Sequence, residues 1–392
     1  MSQSPQDFDP LQPETFDSAN AEYTELRTRC PVAHTDAWGG FWALFSYEDV
    51  KAAASDPRTF ITSVQNVVPR VAFTGRRPPL HLDPPEQTPY RRAINPLFSE
   101  ARLGVLESIV RDFAVQLLDP LIKQGHGDVC TDFGSYLPVQ VFGAWMNMPE
   151  EWLQELHDAG RAFNIAVQSA VEVTMKETSL LLYDLARRLI ALRKAEPGDP
   201  DKDLTTALLA SRHEGQPLPD EMVVGMVRQV LVVGMIAPMV MIGSITVHLC
   251  RDLALQDQLR ANPELIPDAL EEFLRLYTPY RGFARTAVRD VEIGGRLIRK
   301  DEPIALVYAS ANRDESVFED GCAFHLNRPN ISEHLAFGRG PHNCPGAPLG
   351  RLQLRVALEE MLGRTKRITL AGEIKPTRFP EIGALSVPVA FD

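Results

Sequence analysis

No pair of cysteines in this chain stands at CxxC spacing. Its five cysteines, Cys30, Cys130, Cys250, Cys322 and Cys344, are odd in number and far apart. That excludes a disulfide framework and a zinc cluster, and it fits a reduced cytosol, so a cytoplasmic location is expected. Positive charge is also scarce: 40 Lys and Arg stand against 52 Asp and Glu, a formal charge of -12, with no basic tract. Nucleic-acid affinity rests on cations that neutralise phosphates, so that partner class is excluded. The start, MSQSPQDFDPLQPETFDS, has neither the basic nor the apolar region of a secretory signal and reads as a mobile polar arm. No repeat, low-complexity tract or linker divides the rest. Residues 1–40 are taken as the arm and the start of the fold, and 41–392 as one domain.

What the chain does have is a hydrophobic content of 44%, enough for a large core. One stretch, residues 230–247 (VLVVGMIAPMVMIGSITV), runs 18 residues without a charge, which just reaches the length of a membrane span. It is single and mid-chain, and its flanks lack aromatic belts and Lys/Arg asymmetry. A buried central helix, apolar all round, is the expectation, with no membrane partner. Apolar spacing near 3.6 predicts helices at 46–55, 101–123, 150–195, 219–253, 263–276 and 349–364. Strand signals cluster at 290–307 and 385–391, where Pro388 suggests an edge position. The fold class is therefore mainly α with small β-sheets.

The densest signal is Phe337-Gly338-Arg339-Gly340-Pro341-His342-Asn343-Cys344-Pro345-Gly346-Ala347-Pro348-Leu349-Gly350-Arg351, which runs into a helix. Glycines and prolines around one cysteine describe a tight loop that lets backbone approach a flat ligand and aims amides at sulfur. A thiolate just before a helix start is also favoured by the positive end of the dipole. This loop resembles the haem-binding loop of the cytochrome P-450 superfamily, FGxGxHxCxGxxLAR, and departs from it only at Gly350, where alanine is usual. The resemblance spans nearly the whole chain. It implies the P-450 fold, with haem b (heme b, iron protoporphyrin IX) between a long central helix and the cysteine loop, and no bound flavin.

The resemblance also assigns residues. Cys344 is implied as the iron ligand, in a loop with Phe337, Gly338, Gly340 and Gly346. His342 and Arg285 are implied as propionate partners. Gln87 and Arg91 match the family's HxxxR pair, with glutamine in place of histidine and a weaker bond expected. Glu272 and Arg275 match ExxR, and with Arg328 they resemble the Glu/Arg/Arg network that braces the fold. Substrate contacts are implied at 65–80, 163–173, 279–283 and 382–385 and on the central helix, with Met235, Ile236, Phe283 and Leu385 as candidates in an apolar pocket. Arg281 is read either as a substrate anchor or as a second structural charge. Arg339, Arg351 and Arg355, near the ligand loop, are read either as a basic docking patch or as solvated charge.

A cysteinate ligand favours O–O cleavage, and the family use is monooxygenation of a small organic substrate, here an apolar one. With no reductase domain in the chain, the resemblance implies a separate ferredoxin and NAD(P)H-dependent reductase. One departure bears on mechanism. Gly234 opens the family's oxygen-activating segment, but its acid and alcohol positions hold Ala237 and Pro238, while Thr246 lies about two turns too far along. Pro238 has no N–H and is expected to kink the helix by freeing the Gly234 carbonyl. Loss of a positioned proton donor commonly costs about 10²–10⁴-fold in rate. Three accounts follow: protons from substrate or its waters, hydrogen peroxide as oxidant, or haem binding without turnover.

Overall fold

The computed structural model describes residues 6–392. The 18-residue apolar run lies inside a helix at Asp220–Arg251, and 78% of its most apolar window is buried within the protein. Around it pack the helices Leu137–Trp145, Leu153–Ser169, Glu172–Ala195 and Ala347–Arg364, and Glu107–Gln124 packs in turn on Ala347–Arg364. Ile266–Leu276 shows why such helices form and where they face. Ile266, Ala269, Leu270, Phe273 and Leu274 fall on one stripe and are buried, so the stripe must meet the core. At Tyr47–Ser55 the Ser46 side chain accepts from the Asp49 amide and fixes the start.

Several sequence expectations need correction. The stretch 150–195 is two helices, because Ala170 adopts φ +54° and ends the first with a left-handed residue. The helix of 101–123 begins only at Glu107. Pro388 is not on an edge: Pro388–Phe391 lies between Ile368–Leu370 and His126–Asp128. Proline is tolerated there because it occupies the first position of the strand.

A five-stranded sheet stands beside the helices in the order Val32–Thr35, Phe41–Leu44, Pro303–Leu306, Phe283–Ala287, Phe60–Ile61. The proposed boundary at residue 41 falls inside the first of its antiparallel pairs, where Thr35 faces Phe41. The arm is not mobile where it is described. Phe8 and Phe16 are buried, Asp7 pairs with Arg296 at 2.8 Å, and Glu14 pairs with Arg281 at 2.6 Å. These two aromatics and two acids lie in a stretch that reads as polar chain, but the structure packs the rings and pairs the acids with residues far along the sequence. Residues 1–5 of that expectation lie outside the described residues.

Candidate active site

The cysteine loop is built by its glycines. Gly338 and Gly340 sit at φ +69° and +71°, and a Cβ on Gly340 would come within 2.5 Å of the Ala54 carbonyl. The turn closes with the Cys344 amide donating to the Phe337 carbonyl at 2.8 Å. Cys344 thus stands three residues ahead of the helix Ala347–Arg364. Although deep in the protein, its side chain is accessible, so it faces an internal opening. Desolvation pushes the thiol up, and the amides of Gly346 and Ala347 with Arg91 and Arg351 act against that. Sulfur in this position therefore favours a cation as partner, while the amides satisfy its lone pairs.

On the central helix, Val233 is 42% exposed and Gly234 and Ala237 are half-buried, although almost all their neighbours are buried. Ala237 stands three residues from Gly234 and four from Val233, which brings the three onto one accessible side. Aromatic rings connect this face to the cysteine loop. A Cβ on Gly234 would lie 2.1 Å from Phe142; Phe142 packs on Trp145, Trp145 meets Phe98 edge-on at 4.7 Å, and a Cβ on Gly346 would lie 3.4 Å from Phe98. The helix is continuous through Pro238, which lies inside it. Thr246 returns its hydroxyl to the Ile242 carbonyl and is buried, so it replaces no missing alcohol.

The predicted cofactor residues gather on one side of the loop. Gln87 Nε2 lies 2.9 Å from His342 Nδ1 and donates to the Pro341 carbonyl, and Arg91 holds Asn343 through its carbonyl at 2.9 Å and its Oδ1 at 2.7 Å. Arg285, 4% exposed, donates to the Ala284 carbonyl and meets no carboxylate among the described residues. Sequence reasoning missed Asp83, whose carboxylate lies 3.5 Å from His342 Nε2 and accepts from the Thr62 and Ser63 amides. Despite desolvation, which raises it, those bonds hold Asp83 well below the usual carboxylate range.

The bracing network is present as geometry. Glu272 and Arg275, 1% and 0% exposed, pair through two bonds of 2.7 and 2.8 Å, and Arg328 Nε joins at 3.1 Å. Arg275 also donates to the carbonyls of Asn312, Gly321 and Ala323. The docking-patch reading fares less well. Arg351 is engaged by both oxygens of Glu271 at 2.6 and 2.7 Å, and Arg355 by Glu107 and Glu359. Only Arg339 stays loosely held, 4.0 Å from Glu333.

Beside the central helix lies a cavity of about 90 Å³, lined in part by Val67, Phe163, Val232, Ile236 and Phe283. Ile236 and Phe283 are where the sequence reading put them. Met235 instead packs on Gly160, and Leu385 sits in the strand Ala384–Ser386, so neither lines this cavity. The wall is less apolar than expected, because Asn66, Arg77, Asn164, Gln229, Tyr280 and Glu381 also belong to it. Glu381 is 4% exposed and accepts from Asn164 at 3.1 Å and Gln168 at 3.0 Å. Desolvation pushes its carboxyl up to about 7. Asn66, Arg77, Asn164 and Tyr280 fall in segments implied as substrate contacts and Gln229 on the central helix, whereas Glu381 carries no motif that singles it out. Arg281 is structural: both its terminal nitrogens are held by Glu14, and its Nε donates to the Glu381 carbonyl.

These residues fit a haem. An accessible, inward-facing sulfur with two amide donors is linked to the accessible helix face through packed aromatic rings, and Arg285 is a buried guanidinium complementary to a propionate. Fold and site together define a haem enzyme. The chain belongs to the cytochrome P450 family: the family model matches residues 163–389. It is 33% identical over 388 residues to mycinamicin IV hydroxylase/epoxidase of Micromonospora griseorubida, covering 94% of each chain. It is 30% identical to linalool 8-monooxygenase of Pseudomonas putida, covering 86% of each. The cytochrome P450 CYP109Q5 structure from Chondromyces apiculatus superposes with a TM-score of 0.89 at 26% identity, over 98% of both chains. The protein is accordingly a haem-binding oxidoreductase, a monooxygenase by family.

Proposed function

We propose that the protein inserts one oxygen atom of O2 into a small, largely apolar organic substrate, with electrons from a separate ferredoxin and NAD(P)H-dependent reductase, in the cytoplasm. The observation that carries this reading is Cys344: an inward-facing sulfur, set by a glycine loop ahead of a helix, with amides directed at it. Cys344 would hold the iron, and Arg285, His342, Arg91 and Gln87 the propionate side. A thiolate-bound haem supplies O–O bond cleavage when loaded.

The chain's own residues do the remainder. Val67, Val232, Ile236 and Phe283 exclude water around the substrate. Gly234 keeps the helix surface low, since any side chain there meets Phe142. Ala237 and Pro238 offer no proton, so protons come from the substrate, from water it holds, or from cavity groups such as the Glu381 carboxyl. The relatives' names, a hydroxylase/epoxidase and an 8-monooxygenase, support oxygen insertion. Glu272, Arg275 and Arg328 brace the proximal side.

The absence of a donor at Ala237 and Pro238 also favours a second reading, in which hydrogen peroxide brings both protons and electrons. Two measurements test the pair. Haem-loaded protein is expected to give a thiolate-type spectrum as its reduced carbonyl adduct, and Cys344→His to lose it; a wild type without that spectrum overturns both readings. Product yield with NADH, ferredoxin and reductase is expected to exceed yield with peroxide alone, and the reverse establishes the second reading over the first.

A further inference from the structure

Four of the eight buried arginines among the described residues meet a carboxylate: Arg275 and Arg328 meet Glu272, Arg281 meets Glu14, and Arg193 meets Asp203. Two of the other four stand beside the cavity. Arg77 lines the wall, is 8% exposed, and is bonded through Nη2 to His81 Nε2 at 2.6 Å. Arg228, on the central helix, is fully buried; its Nη2 donates to Ser179 Oγ at 2.9 Å, while Nε and Nη1 have no partner. Among the described residues no carboxylate pairs with either.

The two guanidiniums are close enough to oppose each other electrostatically, and both oppose protonation of His81. Desolvation, together with these charges, drives His81 down to about 3, so it is neutral and accepts from Arg77. Burial lowers Arg77 only to about 10, and it remains a cation at neutral pH. Arg228 lies 4.6 Å over the ring of Phe163, itself a wall residue, and 5.6 Å over Tyr183. Ring faces offset part of the cost of burying a cation, yet they leave its planar fork of donors unmet. Arg77 is the one of the two that reaches the wall, and its bond to His81 leaves the rest of its fork free of any carboxylate; a charged fork so placed is complementary to a ligand carboxylate, which it binds through two parallel bonds. The acidic residue of the cavity wall, Glu381, is occupied by Asn164 and Gln168 and makes no ion pair with Arg77.

We propose that the substrate of this enzyme is an organic acid whose carboxylate is bound by Arg77, with Arg228 behind it as a positioning residue that reinforces the positive field. The apolar body of the acid then extends along Val67, Val232 and Ile236 toward the accessible face at Val233 and Gly234. This rests on the monooxygenase reading and narrows its substrate class.

The test uses haem-loaded full-length protein and a series of ω-phenylalkanoic acids, from phenylacetate upward in chain length, each beside its neutral primary amide. Substrate binding is read from the ferric Soret shift. At least one acid is expected to bind about tenfold or more tightly than its own amide, because an unmet buried charge penalises the neutral analogue. In Arg77→Met and Arg228→Met the preference is expected to collapse while amide affinity stays within about threefold, which also reports an intact pocket. If acids and amides bind alike in the wild type, if no acid shifts the band, or if the preference survives in both variants, the proposal is overturned. The wild-type comparison alone decides should a variant not fold. A protein with a normal thiolate-type spectrum but no acid preference fails here and not in the preceding reading.

Discussion

Single residues decide much of what this site can do. Glu272 faces two buried guanidiniums at once, so Glu272→Gln leaves Arg275 and Arg328 without a counter-charge. Urea unfolding of the haem-loaded variant should show a loss of about 3–5 kcal/mol, and a loss below about 1 would show that the carbonyls around Arg275 suffice. Glu381 makes a pH-dependent case. Its carboxyl is raised from 4.5 to about 7 by desolvation, so the folded state holds that proton more tightly than the unfolded chain does. The stability it contributes is complete below pH 4.5 and is lost as pH climbs through about 7, a swing of about 3 kcal/mol. Relative to Glu381→Gln, wild-type protein should therefore lose about that much between pH 4 and pH 8; parallel curves for the two proteins would show that the carboxyl titrates normally. Arg77 falls in the 65–80 segment implied as a substrate contact, but Glu381 was not legible in the sequence, since a lone charge in a stretch such as Phe379-Pro380-Glu381-Ile382 looks like solvated loop until its neighbours are known.

At the scale of elements, the sequence was most legible where periodicity and motif agreed. The central helix and the helix after Cys344 were expected within two residues of where they run. Legibility failed where the deciding contact is remote. Arg351 and Arg355 looked free because Glu271 and Glu107 lie 80 and 248 residues away. The break at Ala170 has neither glycine nor proline to announce it. Pro238 gives a prediction of its own: inside the central helix it withholds one amide from the Gly234 carbonyl. Pro238→Ala should restore that bond and raise the thermal midpoint, by up to about 3 kcal/mol of stability. Differential scanning calorimetry checks this, and a lower midpoint would show that surrounding side chains are fitted to the proline ring. Installing the missing pair, Ala237→Asp with Pro238→Thr, should raise turnover driven by ferredoxin and reductase by tenfold or more over its present rate if proton delivery limits it. Coupled product formation is the measurement, and an unchanged rate would locate the limiting proton source elsewhere.

Across the whole molecule, the segment from residue 6 onward acts as a strap. Asp7 reaches Arg296, Asp17 reaches Arg251, and Glu14 reaches Arg281, which in turn holds the main chain of the cavity residue Glu381. Glu14→Gln should cost about 3 kcal/mol by leaving Arg281 partly unpaired. Because Arg281 supports the cavity wall, that variant is also expected to bind substrates more weakly, as a titration of the Soret shift would report; unchanged affinity would confine the strap to stability.

The pairing of Glu14 with Arg281 and, through it, with the backbone at 381 also sets an order of events during synthesis. The acid precedes its guanidinium partner by 267 residues, and the carbonyl that partner grips lies 100 residues further on. The three-way contact therefore cannot form until the chain has been made as far as residue 381, a non-local closure of the slow kind.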